Sequence, residues 1–542
     1  MLTNNPNPNP NPNPISVSSK QYWLLTFITA LVFIAVNVSF RPILPIDETR
    51  YISVAWEMWL DKNWLVPHIN GSPYDHKPPF MFWLFNIVWS VFGTSETVSR
   101  LVVPVFSLLN LFLVNLLARK VYPDSKQAQV LSPLILFSFL GWFLYSGMIM
   151  FDLILTVFYL LAILSLWKYS ESNRPVWIWF TGTAIGFALL TKGPVIFVHF
   201  LPFVMLVRIW HPSPSNINKA FFKAVLWAVL ISVAIILMWA IPAAISGGEE
   251  YARAIFWGQS VDRMQNSFAH ARPFYWYVLL LPALLFPWLF LSGFWRSRPW
   301  VVTERGDTLC LALFAIILVI FSCFSGKQIH YLFPTFPFVA VWIAKQVDLR
   351  KFKTEFAVVG ILILIVVLIF GSQFWVSKAF RSAEITDLYQ SWGILPLLLI
   401  GLLLWKKTLP IDRLALNIGA LLLSLSALFA SLSPVLKNVY DVTEPGQRIH
   451  QLQSEGNQVS FIGKYHNTFG YAGKLEIPLH LVPSNQAERD AFLRTEPGYT
   501  VWIQRHESKA LEENAIYTTP FRGQRLYVIE NKELEKVLQA SK

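Results

Sequence analysis

Long apolar runs, separated by short polar segments, dominate the first 434 residues of the chain. A membrane-spanning helix needs about 20 mostly apolar residues. The clearest runs of this kind are 22–40, 97–118, 224–245, 308–325, 356–376 and 414–434. The other candidates lie near 128–145, 148–167, 176–190, 195–210, 275–295, 331–344 and 391–405. The pattern predicts a mainly α-helical, polytopic membrane protein with about 13 transmembrane helices.

The pattern changes at both ends of the chain. Residues 4–14 repeat Asn-Pro, so 1–20 is predicted to be a low-complexity cytosolic tail. A transmembrane domain then covers 21–434. After residue 434, a predicted helix at 485–495 lies among four predicted strands, which are 459–463, 477–482, 499–504 and 525–530. Residues 435–542 are therefore predicted to form a small α/β extramembrane domain.

Two loops on the predicted outer side of the transmembrane domain are long, 41–96 and 246–274. Within the first, residues 48–60 have apolar positions at helical spacing behind an acidic start, which predicts an amphipathic helix at the membrane surface. The apolar stretch 80–93 is too short for a span, and we interpret it as an interfacial helix.

Charged residues are distributed unequally between the two sides of the predicted membrane domain. With a cytosolic N-terminus, the inner loops hold 18 Lys and Arg against 7 Asp and Glu, whereas the outer loops hold 12 of each. This positive-inside pattern accounts for the net charge of +12, so the basic composition reports topology and not nucleic-acid binding. An odd number of spans then predicts that the C-terminal domain lies outside the cytoplasm.

Unusual polar clusters concentrate on the predicted outer side. They are Asp47–Tyr51, Pro73–Phe80, Asp152, Thr191–Pro194, His270–Tyr277 and Ser325–Gln328. Singly, each has an ordinary interpretation: a Lys or Arg reaches the interface from a span end, an Asp caps a helix, and an aromatic run forms an interface belt. Together, several cations and at least two carboxylates at one membrane depth suit a lipid phosphate and a general base. That combination is what sugar transfer from a lipid phosphate requires.

These segments also carry a family resemblance. They are Asp47–Tyr51, Trp64–Gly71, Pro73-Tyr74, Lys77-Pro78-Pro79, Asp152, Leu190–Pro194, Arg272-Pro273-Phe274, Phe286-Pro287-Trp288, and Phe324-Ser325 through Lys327 to Pro334 and Pro337. In this order, over roughly residues 22–340, the chain resembles the GT-C superfamily of membrane glycosyltransferases. It is most similar to the bacterial branch that holds the aminoarabinose transferase of lipid A and relatives of protein O-mannosyltransferases.

The resemblance implies a GT-C transmembrane catalytic domain and an inverting glycosyltransferase. Such an enzyme moves a sugar from a polyprenyl-phosphate carrier to an envelope acceptor (lipid, glycan or protein) at the outer face of the bacterial inner membrane. The C-terminal domain would then be periplasmic. The implied catalytic residues are Asp47, with Asp152 as a second acid and Glu48 beside it. The implied donor-phosphate ligands are Lys77, Lys192, Arg272 and Lys327. Candidate substrate-lining residues are Arg50, Tyr51, Tyr74, His76, His270 and Tyr275.

The transfer requires no cofactor, because phosphate leaves as a stable anion once cations bind it. The family usually has a Glu before Lys-Pro-Pro, which binds a metal in some members, and this chain has His76 there. A divalent metal is therefore in doubt. Two other functions are weighed: a multi-span transporter or flippase, and a ligase acting on a lipid-linked glycan. No internal repeat supports the transporter, and the 47–79 block favours the monophosphate-linked sugar over the ligase. The sugar and the acceptor stay open.

Overall fold

The computed structural model describes residues 19–256, 271–380, 388–405, 412–505 and 507–540. Helices dominate the part before residue 257. They are α1 (Ser19–Phe40), α2 (Asp47–Asp61), α3 (Phe80–Phe92), α4 (Glu96–Val121), α5 (Lys126–Ser138), α6 (Leu140–Tyr145), α7 (Asp152–Ser172), α8 (Val176–Lys192), α9 (Val195–Met205), α10 (Val207–Trp210) and α11 (Lys219–Arg253).

The helical pattern continues after residue 271. The helices there are α12 (Trp276–Leu284), α13 (Ser292–Arg296), α14 (Arg305–Cys323), α15 (Phe336–Gln346), α16 (Phe356–Phe370), α17 (Ser372–Phe380), α18 (Ile394–Leu404) and α19 (Arg413–Ser431). Short 3-10 helices lie between them, at Pro214–Asn216, Trp288–Phe290, Ile329–Thr335, Leu349–Lys351 and Gln390–Gly393.

Six helices in the described part of the chain are long and apolar enough to cross a membrane: α1, α4, α7, α11, α14 and α19. Five further apolar segments, each of 10–17 residues, include α3, α8, α9 and α16. The chain is therefore a polytopic helical membrane protein, as predicted, while the count of about 13 spans stays a prediction. Several predicted spans are broken. The 128–145 run becomes α5 and α6, because Phe139 between them adopts extended φ/ψ values.

The segment between α1 and α4 has the two predicted helices. Helix α2 begins with Asp47 and Glu48, and α3 follows a two-stranded hairpin, β1 (His68–Ile69) with β2 (Ser72–Pro73). Most of the α2 side chains are buried, because both the membrane helices and the C-terminal part of the chain pack against it. Its surface position on a bilayer stays a prediction.

The C-terminal part forms a five-stranded sheet. Its strands are β3 (Val459–Ile462), β4 (His480–Val482), β5 (Tyr499–Gln504), β6 (Ala515–Phe521) and β7 (Gln524–Glu530), in the order β4-β3-β5-β7-β6. Its helices are α20 (Ser433–Tyr440), α21 (Thr443–Ser454), α22 (Gln486–Thr495), α23 (Lys509–Asn514) and α24 (Asn531–Ala540). The four predicted strands and the predicted helix are present. Strand β6 was not predicted, because Pro520 weakens its pattern, and a proline is tolerated there since the strand lies at the sheet edge.

The C-terminal part packs directly on the 41–96 segment. The Trp56 indole N–H donates to the Leu475 carbonyl at 2.9 Å, and Asn70 exchanges two hydrogen bonds with the backbone of Leu479, at 2.9 and 2.8 Å. The Tyr471 ring stacks on Trp89, with ring centroids 5.3 Å apart. The connection between β3 and β4 therefore packs on α2, the hairpin and α3.

Candidate active site

A buried ion pair joins the start of α7 to the end of α8. Asp152 is the first residue of α7, its side chain is only 2% exposed, and its Oδ1 lies 2.5 Å from Lys192 Nζ. An acid at a helix N-terminus and a cation at a C-terminus both match the helix dipoles. Gly193 ends α8 with φ near +70°, a backbone conformation that favours glycine. The antiparallel pairing of α7 and α8 thus brings two predicted site residues together.

The 3-10 helix Ile329–Thr335 completes the surroundings of this pair. His330 Nε2 lies 3.8 Å from Asp152 Oδ2, and Lys192 Nζ lies 5.0 Å from the centre of the Tyr331 ring. Sequence reasoning missed His330 and Tyr331. The available signal was a histidine within an apolar run that directly follows a polar cluster.

Asp47 lies at the start of α2 with its side chain 55% exposed. Its carboxylate forms an ion pair with Arg50, three residues on. The Arg50 guanidinium lies 5.1 Å from the centre of the Tyr51 ring, and that ring contacts Phe151 with centroids 4.8 Å apart. Asp47 is therefore accessible to a reactant. Phe151, which contacts Tyr51 near Asp47, is also the residue directly before Asp152.

Tyr145, at the end of α6, is a further polar side chain near Asp152. Its ring packs edge-on against Phe333 at 4.7 Å and lies 5.9 Å from the ring of His330, which faces Asp152. The charges of Asp152 and Asp47 both act on Tyr145. The sequence reasoning did not include this tyrosine.

The hairpin turn into α3 brings further predicted residues to the same place. Tyr74 is buried, and its ring contacts His76 at 5.4 Å and Phe82 at 6.1 Å. Lys77 Nζ lies 6.0 Å from the centre of the Phe151 ring, so its charge reaches the region between Asp47 and Asp152. His76 is about half exposed and lies 3.3 Å from Asp75.

Hydrogen bonds to the backbone of Arg272 hold it beside Ser325 and Lys327. The Arg272 N–H donates to the Ser325 carbonyl at 3.1 Å, and Lys327 Nζ donates to the Arg272 carbonyl at 2.9 Å and to that of Phe324. Lys327 is only 4% exposed, whereas Arg272 is exposed. Lys327 therefore holds the backbone of Arg272, whose guanidinium is exposed. Tyr275 is about half exposed with its ring against Phe274, and His270 lies outside the described residues.

Glu48 follows Asp47 in sequence but has the opposite surroundings. It forms a buried ion pair with Arg41, each side chain 1% exposed. Its oxygens also accept the backbone N–H groups of Leu44 at 2.7 Å and Ile149 at 2.6 Å. Arg41 donates in turn to the Gly147 carbonyl at 2.8 Å. This network fixes the start of α2 to the loop that leads into Asp152.

One loop of the C-terminal sheet also reaches this region. Asn467 donates its amide N–H to Glu57 on α2, which holds the loop beside the helix. His466 is then within range of both Asp47 and Arg50. Its partial burial, followed by the positive charges of Arg50 and Lys464, lowers the pKa of His466. This side chain is therefore neutral at neutral pH.

The side chains around the site offer no clear metal position. Among the residues that the structure describes, no three His, Cys, Asp or Glu side chains lie close enough together to hold an ion. The cationic groups Lys77, Lys192 and Arg272 instead suit an anion. The arrangement provides an accessible carboxylate at Asp47 and cations at Lys77 and Lys192 in neighbouring segments.

Comparison with known proteins shows which families this chain resembles. Residues 76–239 match the model of the dolichyl-phosphate-mannose-protein mannosyltransferase family. The undecaprenyl phosphate-alpha-4-amino-4-deoxy-L-arabinose arabinosyl transferase of Edwardsiella ictaluri (strain 93-146) is 30% identical over 318 residues, 56% of this chain and 55% of that protein. The protein of the same name from Pseudomonas aeruginosa (strain UCBPP-PA14) is 28% identical over 332 residues, 59% of this chain and 58% of that one. The chain thus matches a little over half the length of these curated relatives.

Solved structures agree on the fold over almost the whole chain. ArnT from Cupriavidus metallidurans in the apo state matches with a TM-score of 0.72 and 18% identity, covering 96% of this chain and 99% of that one. The structure of that protein bound to undecaprenyl phosphate matches with a TM-score of 0.70, also at 18% identity, covering 95% and 98%. The chain therefore has the ArnT fold, and it resembles the aminoarabinose transferase branch of the GT-C glycosyltransferases.

Proposed function

We propose that this chain is an inverting glycosyltransferase of the bacterial inner membrane. It moves a sugar from a polyprenyl-phosphate carrier to an envelope acceptor on the periplasmic side. The relatives that it resembles are named for transfer from undecaprenyl phosphate, and a protein of the same fold has been solved with undecaprenyl phosphate bound. The positive-inside charge pattern supports the orientation, with the N-terminus in the cytoplasm and the C-terminal sheet in the periplasm.

The observation that carries the proposal is an exposed carboxylate with lysines in neighbouring segments. Asp47 is exposed at the start of α2, Lys77 Nζ lies 6.0 Å from the Phe151 ring, and Lys192 Nζ lies 5.0 Å from the Tyr331 ring. A base must reach the acceptor hydroxyl, and cations must bind the phosphate that departs from the opposite face of the sugar. A carboxylate and phosphate-binding cations in neighbouring segments suit displacement with inversion.

The roles follow from the surroundings of each group. The acceptor hydroxyl attacks the anomeric carbon while Asp47 takes its proton. The bond from that carbon to the phosphate oxygen breaks, and its electron pair stays on the phosphate. Lys77, Lys192 and Arg272 bind the phosphate before and after this step. The step consumes no metal and no redox cofactor.

Three other residues receive supporting roles in this proposal. Asp152 is buried and bound to Lys192, so it orients that lysine. Glu48 has both oxygens occupied by Arg41 and backbone N–H groups, so it holds the start of α2. Lys327 uses its ammonium on two backbone carbonyls and thereby positions Arg272.

The test is transfer by the purified chain in nanodiscs, with a panel of polyprenyl-monophosphate sugars as donors. Asp47→Asn keeps the shape of the side chain but removes the base, so turnover should fall by about 10²-fold or more. Asp61→Asn, an exposed change at the other end of α2, is the matched control and should keep wild-type turnover.

Mass spectrometry of envelope glycolipids and glycoproteins, from cells with and without the protein, then identifies sugar and acceptor. Wild-type protein that accepts only pyrophosphate-linked glycans would point to the ligase instead. Full transfer by Asp47→Asn, with an inactive Asp152→Asn, would reverse the assignment of the base.

A further inference from the structure

We propose that His330 is a proton donor to the departing phosphate, which makes sugar transfer dependent on the protonation of this one histidine. The proposal rests on the proposed transfer from a polyprenyl phosphate and adds a residue that neither the sequence motifs nor the family resemblance includes. It follows from the position of His330 beside the buried Asp152–Lys192 pair.

The geometry puts His330 where a phosphate bound by Lys192 would lie. Both side chains address the same carboxylate: Lys192 Nζ lies 2.5 Å from Asp152 Oδ1, and His330 Nε2 lies 3.8 Å from Oδ2. Both also neighbour the Tyr331 ring, Lys192 Nζ at 5.0 Å from its centre and the His330 ring at 5.1 Å between centroids. Any anion held by Lys192 is therefore within reach of the imidazole.

The groups that face His330 come from three other helices and from its own segment. Helix α7 contributes Asp152, whose negative charge favours the imidazolium, and α8 contributes Lys192, whose positive charge opposes it. Helix α6 contributes the Tyr145 ring, and the segment of His330 itself contributes Tyr331. The negative charge of an incoming phosphate adds to that of Asp152 and favours the protonated histidine.

A proton from His330 would offset the negative charge that the reaction creates on the phosphate. The donor is a phosphodiester with one negative charge, and breaking its bond to the sugar leaves a phosphate monoester with two. The imidazolium transfers its proton to a phosphate oxygen as that bond breaks, so the monoester leaves with a single charge and His330 becomes neutral. Asp47, which took the proton of the acceptor hydroxyl, then releases a proton to the solvent and His330 takes one up from it, so the net transfer is from the acceptor hydroxyl to the phosphate.

A histidine is matched to this task. The second pKa of a phosphate monoester is about 6, and an ordinary histidine has a pKa of about 6.5, so the proton moves between groups of nearly equal affinity. Lysine binds its proton too tightly to share it in this way. The consequence is an alkaline limit on the rate: transfer falls as pH rises through the pKa of His330, while the need for ionised Asp47 sets the acidic limit.

The test compares pH profiles of kcat in nanodiscs between about pH 5 and pH 9, the range in which a histidine titrates. His330→Gln keeps a polar side chain without an acid and should lower kcat by about 10²-fold near pH 6 and remove the alkaline limb. His330→Lys supplies a fixed charge and should show partial activity without that limb. His450→Gln, an exposed change on α21 distant in sequence from the site, is the matched control and should reproduce the wild-type profile.

Binding of polyprenyl phosphate, without turnover, provides an independent readout. Relative to the wild type, His330→Gln should bind it more weakly at pH 6, where the imidazolium adds a charge, and equally at pH 8; comparing the two proteins at each pH cancels the ionisation of the phosphate itself. A purely structural role would lower activity equally at every pH and lower the melting temperature. An alkaline limb that persists in folded His330→Gln would overturn the assignment while leaving the glycosyltransferase intact. No transfer by the wild type from any polyprenyl-monophosphate sugar would overturn both proposals.

Discussion

At the scale of single residues, Asp47 and Glu48 show how neighbours on one helix acquire different functions. A helix turns by about 100° per residue, so consecutive side chains leave it in different directions. Asp47 stays exposed, whereas Glu48 is buried and pairs with Arg41. Their surroundings, and not their chemistry, separate the carboxylate that we propose as the base from one that holds the structure.

Glu48→Gln should therefore impair folding more than chemistry. The change leaves the Arg41 guanidinium buried without its ionic partner, and breaking a buried pair in this way typically costs about 3–5 kcal/mol. The apparent melting temperature in detergent should fall by several degrees. Glu171→Gln removes a partly exposed partner of Lys120 and is the control, with an expected loss of about 0–1 kcal/mol. Equal effects of the two changes would show that the Arg41–Glu48 pair contributes little.

The Asp152–Lys192 pair allows structural and ligand-binding effects to be separated. Lys192→Ala and Asp152→Asn should each lower stability, because each leaves one buried charge. The double variant should recover stability. It should not recover use of the donor, since a charge-assisted hydrogen bond to phosphate, worth about 1.5–3 kcal/mol, is still missing. We expect a roughly ten- to hundredfold higher KM for the donor in the double variant. A double variant with wild-type KM would exclude Lys192 as a phosphate ligand.

At the scale of elements, α2 contacts both the N-terminal helical part and the C-terminal part of the chain. Its first turn presents Asp47, and its last turns receive the hairpin and the C-terminal sheet through Glu57 and Trp56. Glu57 accepts the backbone N–H groups of Asn70 at 2.5 Å and Gly71 at 2.9 Å. A helix held at so many points keeps its first turn, and thus the reactive carboxylate, at a constant position.

The stability of this junction should depend on pH through Glu57. Burial raises the pKa of Glu57, even though the N–H groups of Gly71 and Asn70 act in the opposite direction. The folded state therefore holds this proton more tightly than the unfolded state. The Glu57 contribution to stability is full below the ordinary pKa of about 4.3 and decreases as pH rises to the raised value. Melting curves over this range should show the decrease in the wild type and lack it in Glu57→Gln. Parallel curves for both proteins would contradict this role.

Sequence patterns predicted the elements whose signal is local. The long apolar helices, α2 with its acidic start and four of the five sheet strands follow from periodicity and composition. The breaks between α5 and α6, and the edge strand β6, depend on packing that periodicity does not record. The grouping of Asp47, Asp152, Lys77 and Lys192 was predicted from their shared side of the membrane; the structure pairs Asp152 with Lys192 and puts Lys77 near Phe151, and one site made of all four stays a prediction. His330 and Tyr145 have no distinctive local motif, so only the fold reveals them.

At the scale of the whole molecule, the orientation in the membrane is the most consequential prediction. The excess of Lys and Arg in alternate loops predicts that the C-terminal sheet lies outside the cytoplasm. Alkaline phosphatase, fused after residue 542, should therefore be active, whereas a green fluorescent protein fused there and exported by the general secretory route should be dark. The same reporters placed after α4, which ends at Val121 between the predicted spans 97–118 and 128–145, give the comparison. Fluorescence at the C-terminus would contradict this orientation and indicate that the apolar stretch 80–93 crosses the membrane.

The packing of the C-terminal sheet on α2 also sets an order for the biosynthesis of the protein. Trp56 bonds to Leu475, 419 residues further along the chain. At a synthesis rate of roughly 5–20 residues per second, α2 leaves the ribosome roughly 20–80 s before its partner exists. The apolar faces of Trp56 and Trp89 stay uncovered for that time, so the nascent chain depends on the bilayer or on chaperones for protection. A chain that terminates early has every transmembrane residue of the site but lacks the contacts that support α2. The C-terminal fifth of the protein, which is synthesised last, is therefore needed to hold a helix that is synthesised among the first.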